Sequence, residues 1–204
     1  MMLKSGITKG TPKKILFGAG VYFSGVTYDE KVAPTATEIK NAILGATQEG
    51  GSLAITPEFF APELDGATVA MKELQQKIGE TATMDTSFAE LTADVVAKQV
   101  IGTVGETTDG LYDVVTSTDT IAEGHFYSGF GYCGHLLDGR PVIIVFKNAL
   151  CTSGFAPEPK NKTNAVFKGT FACQSDVDYG TTKLPYAIFI RKEEGWTASE
   201  ASEI

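Results

Sequence analysis

Residues 77–88 read Lys-Ile-Gly-Glu-Thr-Ala-Thr-Met-Asp-Thr-Ser-Phe. On an extended chain Ile78, Glu80, Ala82, Met84, Thr86 and Phe88 fall on one side, and Thr81, Thr83, Asp85 and Ser87 on the other. A period of two with this much threonine belongs to a strand with one buried and one wet face. That restricts the fold more than any other feature of the chain, because such a strand is stable only inside a sheet of several strands over a core. Candidate partners follow along the sequence. Strand-like runs occur at Val21-Tyr22-Phe23 and at 52–60, 111–116, 124–133, 142–149, 165–174 and 187–192, punctuated by Gly, Pro and Asp-Gly. In 165–174, Phe167, Phe171 and Cys173 alternate with Lys168, Thr170 and Ala172, so this strand also has one buried face. Asp138-Gly139 between two apolar runs signals a hairpin. Residues 69–73 read as a short strand or a turn.

One helix is predicted, over 92–102. Thr92 can cap it, Asp94 suits the first turn, Ala93, Val96, Ala97, Val100 and Ile101 recur at helical spacing, and Gly102 is a natural stop. Residues 27–50 form a long connection, in which 37–44 could hold a helical turn. Glycine, threonine and proline in 1–14 predict an extended arm, and 193–204 an acidic tail. The expectation is a mainly β domain over 15–192 with one flanking helix and an extension at each end.

The formal net charge is −8, unevenly distributed. Lys4, Lys9, Lys13 and Lys14 make the first fourteen residues purely basic, whereas 49–123 hold fourteen acids against Lys72, Lys77 and Lys98. The only arginines are Arg140 and Arg191. A surface that grips nucleic acid needs a basic face, so most of this chain should repel phosphate. The longest apolar runs are too short to span a bilayer, and the N-terminus lacks the apolar core of a signal peptide. Synthesis in a cytoplasm is expected, with Cys133, Cys151 and Cys173 as buried, reduced thiols.

The residues that could carry chemistry are few. Cys133 and His135 lie two apart on a strand and could be imagined as a nucleophile with its base or as two metal ligands, but no third orienting group is in view and no other Cys/His pair sits at close spacing. Glu58, Glu63 and Asp65 lack the dense alternation of a calcium loop. Gly129-Phe-Gly131-Tyr-Cys-Gly134 has dinucleotide-motif spacing without a helix after it, so it reads as a kinked strand. Asn161-Lys-Thr163 matches a glycosylation acceptor, which matters only in a secreted chain. No catalytic, cofactor-binding or metal residue is assigned, and a non-enzymatic role is expected.

The stretch Gly-Gly-Ser-Leu-Ala-Ile-Thr-Pro-Glu-Phe-Phe-Ala-Pro-Glu-Leu-Asp-Gly-Ala at 50–67 resembles a segment of the tail-tube proteins of long-tailed bacteriophages and prophages. So do the threonine-rich strand 77–88, the following Ala-Glu-Leu-Thr-Ala-Asp-Val-Val with its helix, and Tyr112-Asp113-Val114-Val115-Thr116. Close similarity covers about a quarter of the chain. Phe59-Phe60 stands where that family often has a polar or basic residue. The resemblance implies a β-sandwich or barrel subunit with a flanking helix. Six copies would form a ring with a shared inner barrel, and rings would stack into a hollow tube with an acidic lumen that conducts viral DNA. It also implies arms at 1–14 and 193–204 and a loop at 27–50 that bridge copies, a place in the virion tail, and tape-measure, terminator and distal tail proteins as partners. The alternative is another β-sandwich of a virion or cell surface, a decoration or adhesion module anchored by Trp196, Phe59 and Phe60. A third reading is a small hydrolase using Cys133 and His135.

Overall fold

The computed structural model describes residues 10–65, 69, 71–159, 161–180 and 182–196. In chain order the described elements are β1 (Leu16–Phe23), α1 (Ala36–Asn41), β2 (Thr47–Phe60), β3 (Gln76–Phe88), α2 (Ala93–Val100), β4 (Gly102–Glu106), β5 (Asp113–Ser117), β6 (Tyr127–Leu136), β7 (Pro141–Cys151), β8 (Pro157–Glu158), β9 (Val166–Gln174) and β10 (Tyr186–Ile190). The expected mainly β architecture is the one found. Eight strands form one sheet along the path β1-β6-β7-β9-β3-β2, with β8 beside β9 and β10 beside β7. All its pairings are antiparallel.

The long strand β7 makes the sheet fork. Its residues 142–146 pair with β10, and 148–151 pair with β9. The sheet then curls around its own core. Tyr22, Met84, Phe88, Phe130, Phe146 and Phe171, from five strands, meet inside it. The curl nearly closes into a barrel where the Tyr22 hydroxyl donates to the Asp85 carbonyl across the gap between β1 and β3, at 3.0 Å. Only a glycine fits under that bridge, since a Cβ at Gly51 would lie 1.8 Å from the Tyr22 oxygen. Gly129 supplies the expected kink in β6. Its φ is +56°, and a side chain there would strike the Val26 carbonyl at 1.8 Å. The kink reverses which face is buried, so Tyr127 and Phe130 both enter the core although their spacing is odd.

A second apolar cluster lies on the other side of β6 and β7. Phe23, Val26, Ile39, Cys133, Ile143 and Val145 pack there. Residues 27–50, expected as a long loop between copies, carry the elements that cover this face. Thr35 caps α1 by accepting from the Glu38 amide, the Glu38 carboxylate accepts from the Thr35 amide at 2.7 Å, and Ile39 is fully buried. The segment then bridges Phe23 through Ile43 and opens β2 at Thr47.

Helix α2 is capped by Thr92 as the sequence predicts, but two details differ. The left-handed stop is Ile101, at φ +54°, rather than Gly102. Gly102 instead lies against β5, where a Cβ would be 2.5 Å from the Thr116 carbonyl. The buried residues are Val95, Ala97 and Gln99, and Val100 faces outward. Residues 72–74 form a short 3-10 turn, not a strand.

The first turn of the described chain, Pro12–Lys14, is also 3-10, and residues 1–9 and 197–204 of the expected arms lie outside the described residues. Both ends of the described chain are held by one arginine. Arg140, 7% exposed, donates to Asp138 at 2.8 Å, to the Lys13 carbonyl at 2.5 Å and to the Arg191 carbonyl at 2.9 Å. Lys13 also pairs with Glu193. Among the described residues no helix is long and apolar enough to cross a membrane.

Candidate functional site

Among the described residues, strand β2 is paired on one side only, with β3, and its other edge is free. Of its residues only Thr47 and Ile55 are even half-buried. The register sets Leu53 against Met84 and Ile55 against Ala82, so these look toward the core. Ser52 opposite Asp85, Ala54 opposite Thr83 and Thr56 opposite Thr81 look away from it. The same face continues onto β9, where Thr170 lies opposite Asp85 and Ala172 opposite Thr83. The result is a broad, solvent-facing sheet surface of small and hydroxyl side chains. Ser52 donates to the Asp85 carboxylate across it at 2.6 Å. Over residues 52–58, 79–85 and 168–174, Lys168 is the one cation.

Two further features adjoin this surface. The far end of the β2–β3 hairpin runs beyond β9, which pairs only with residues 83–88 of β3. Phe59, Phe60 and Ile78 there are 63%, 50% and 64% exposed. On the core side, β1 and β2 diverge into a groove of about 720 Å³ lined by Leu16, Tyr22, Leu53, Met84, Tyr132 and Ile144. An edge strand this long, with apolar residues at its tip, is a template for pairing with another chain.

The residues weighed for chemistry are dispersed. Cys133 is 1% exposed in the outer apolar cluster, and burial pushes its thiol up to about 11. Burial, with Glu80 nearby, pushes Cys173 to about 12. His135 is half-buried at the opposite end of β6 from Tyr127. His125, by contrast, is buried in a turn: its Nδ1 accepts from the Ala122 amide at 2.8 Å, so Nε2 carries the proton and donates to the Gly102 carbonyl at 3.2 Å. That is a structural histidine, and its hydrogen-bonding role was not legible from sequence. Glu58 stands in β2, with Glu63 and Asp65 in the loop after it, and among the described residues no group of three or more His, Cys, Asp or Glu could hold a metal. All three thiols are free and buried. Thiolate is the reactive form, so native protein at pH 8 is expected to leave a disulfide reagent such as DTNB unreacted while urea-unfolded protein titrates all three cysteines. Rapid labelling of one native cysteine would show an exposed thiol.

No protein-family model matches the sequence, and no curated protein does. Among solved structures the chain is similar to one in the virion of a native gene transfer agent particle. The likeness has 9% identity and a TM-score of 0.40, and covers 85% of this chain and 95% of that one. A likeness this slight does not bear on function, which is read from the residues.

Proposed function

We propose that this chain is a non-enzymatic structural subunit of a virion, and specifically a tail-tube protein that polymerises as stacked hexameric rings around a hollow axis. The free edge of β2 carries this reading. Among the described residues of a lone chain, the backbone of a fourteen-residue strand is unpaired on one side. Closing copies into a ring gives every such edge a neighbour, whereas an open arrangement would leave edges to aggregate. The sequence resemblance at 50–67 and 77–88 covers the same hairpin.

The polar face of β2, β3 and β9 suits the wall of a conduit for DNA. Each phosphate–cation contact would hold a passing strand back, and over residues 52–58, 79–85 and 168–174 this face offers hydroxyls and acids with Lys168 as the one cation against them. The partners are other copies of the chain, with tape-measure, terminator and distal tail proteins at the ends of the tube. The exposed Phe59 and Phe60 also suit a second reading, a decoration or adhesion module that anchors on another surface. Negative-stain microscopy with sedimentation separates the two. Rings or hollow rods are expected. Single chains at every concentration overturn the tube reading, and glycan or capsid binding by those single chains favours the second.

A further inference from the structure

The far end of the β2–β3 hairpin departs from a regular ladder. Gly79 lies opposite Glu58 and Lys77 opposite Phe59, so Ile78 has no partner and forms a bulge. A bulge twists its strand and re-aims the side chains around it. Here Phe59, Phe60 and Ile78 are each at least half exposed, a cluster of large apolar side chains in water. Such a cluster marks a contact with another molecule. Phe59-Phe60 is also where the sequence departs from the tail-tube family, so the resemblance does not say what this cluster meets.

The chain also carries a surface that suits it. The groove between β1 and β2, about 720 Å³, falls within the roughly 300–1,000 Å³ of pockets that enclose apolar ligands. Among the described residues that line it none is charged. Leu16 and Leu53 line it from the two strands and are 52% and 36% exposed. The space above Gly18 and Gly50 is open, since a Cβ at either would meet nothing within 4 Å. A second apolar tip competes for this groove: Leu111 and Tyr112 are exposed on β4 and β5, which form a two-stranded sheet apart from the large one. That tip has Glu106 directly opposite Asp113 and Asp109 in its turn, and would carry acids into an uncharged groove. At the β2–β3 tip, Phe59 faces Lys77 and Phe60 faces Gln76, and the nearest acid on β2, Glu58, stands behind the bulge. The tip cannot enter its own groove. Leu53 and Phe60 are points on one continuous strand, about 23 Å apart at ~3.3 Å per residue. We infer that Phe59 and Phe60 of one copy seat in the β1–β2 groove of a second copy. Tip and groove are different surfaces, so the contact is heterologous, and each added copy still offers one of them to the next. This rests on the self-assembly reading above, and it names a contact that joins one copy to another.

The test uses full-length protein as wild type, as Phe59→Ser with Phe60→Ser, and as Leu16→Glu. All three positions are exposed in the lone chain, and circular dichroism checks each fold. In sedimentation each variant is expected to need about tenfold more protein, or more, to assemble, because the tip loses its anchors or the groove gains a carboxylate to desolvate. Cross-linking locates the contact. A chain with both Leu16→Cys and Phe60→Cys, assembled and treated with a short bismaleimide, is expected to give a ladder of linked copies on a denaturing gel. Each single cysteine variant is expected to stay unlinked, since the native thiols are buried. Assembly of either the serine or the glutamate variant at the wild-type concentration, as when a different protein covers the tip, overturns the docking and leaves the tube reading intact. So does an assembled double-cysteine chain without a ladder, or linkage in a single variant. Wild-type protein that never assembles overturns the tube reading itself, and the docking with it.

Discussion

Phe171→Ala is expected to remove about 3–5 kcal/mol of stability, a large share of the 5–15 kcal/mol typical of a folded domain. The ring is fully buried. It stacks on Phe130 at 4.4 Å between centroids and meets Tyr127 and Phe88 edge-on at 5.2 and 6.0 Å. These partners come from β3 and β6, so Phe171 ties β9 to both sides of the curled sheet. The sheet cannot collapse onto the hole because the backbone ladders fix its spacing, and the cavity cost adds to the lost transfer energy. In urea the midpoint should fall while the slope stays constant. Phe171→Leu should recover much of the loss, but not the edge-to-face contribution of about 0.5–1.5 kcal/mol. A midpoint shift worth less than about 1 kcal/mol for the alanine variant would mean that the core is not organised around this ring.

Arg140→Ala is expected to cost about 2–3 kcal/mol, because it takes the donors from two backbone carbonyls and removes the packing of a buried side chain. It should also release the chain ends before the body unfolds. Cleavage after Lys13 and Lys14 by a lysine-specific protease is expected to accelerate in conditions where circular dichroism stays native. Arg140→Lys should not restore protection, since an ammonium on a flexible stem cannot span Asp138, Lys13 and Arg191 at once. Acid acts on the same contact. Burial works against ionisation of Asp138, but the hydrogen bonds from Arg140 outweigh it and hold the carboxyl below its usual range. A carboxyl depressed in the folded state stabilises above its unfolded pKa, near ~4, and that contribution is lost as pH falls through the lower folded value. Thermal stability of the wild type should therefore drop below about pH 4, and that of Arg140→Ala should drop less over the same interval. Equal losses in the two proteins would show that the pair does not couple to folding.

Much of this fold was legible because strand patterning is local. Met84 in and Thr83 out follow from alternation alone, and the neighbours of β3 change nothing about that parity. The Thr92 cap and the Asp138-Gly139 turn were legible for the same reason, since each depends on residues within a few positions. Strand β4 was not. Gly102-Thr-Val-Gly-Glu has no apolar alternation, and it becomes a strand through its pairing with β5. The stop at Ile101 escaped too, because Gly102 was needed for a close approach to Thr116 that only the folded chain creates.

By itself the sequence determined most of the strands of the large sheet, which faces of the alternating ones are wet, and where charge accumulates. The tertiary structure decided that β7 forks the sheet, that β2 is left with a free edge, that β4 and β5 stand apart, and that Arg140 gathers Lys13 and Arg191 from far along the chain. Periodicity is set by neighbours along the backbone. Register, closure and the fate of an edge are set by contacts between residues tens of positions to more than a hundred apart, and no local pattern carries that information.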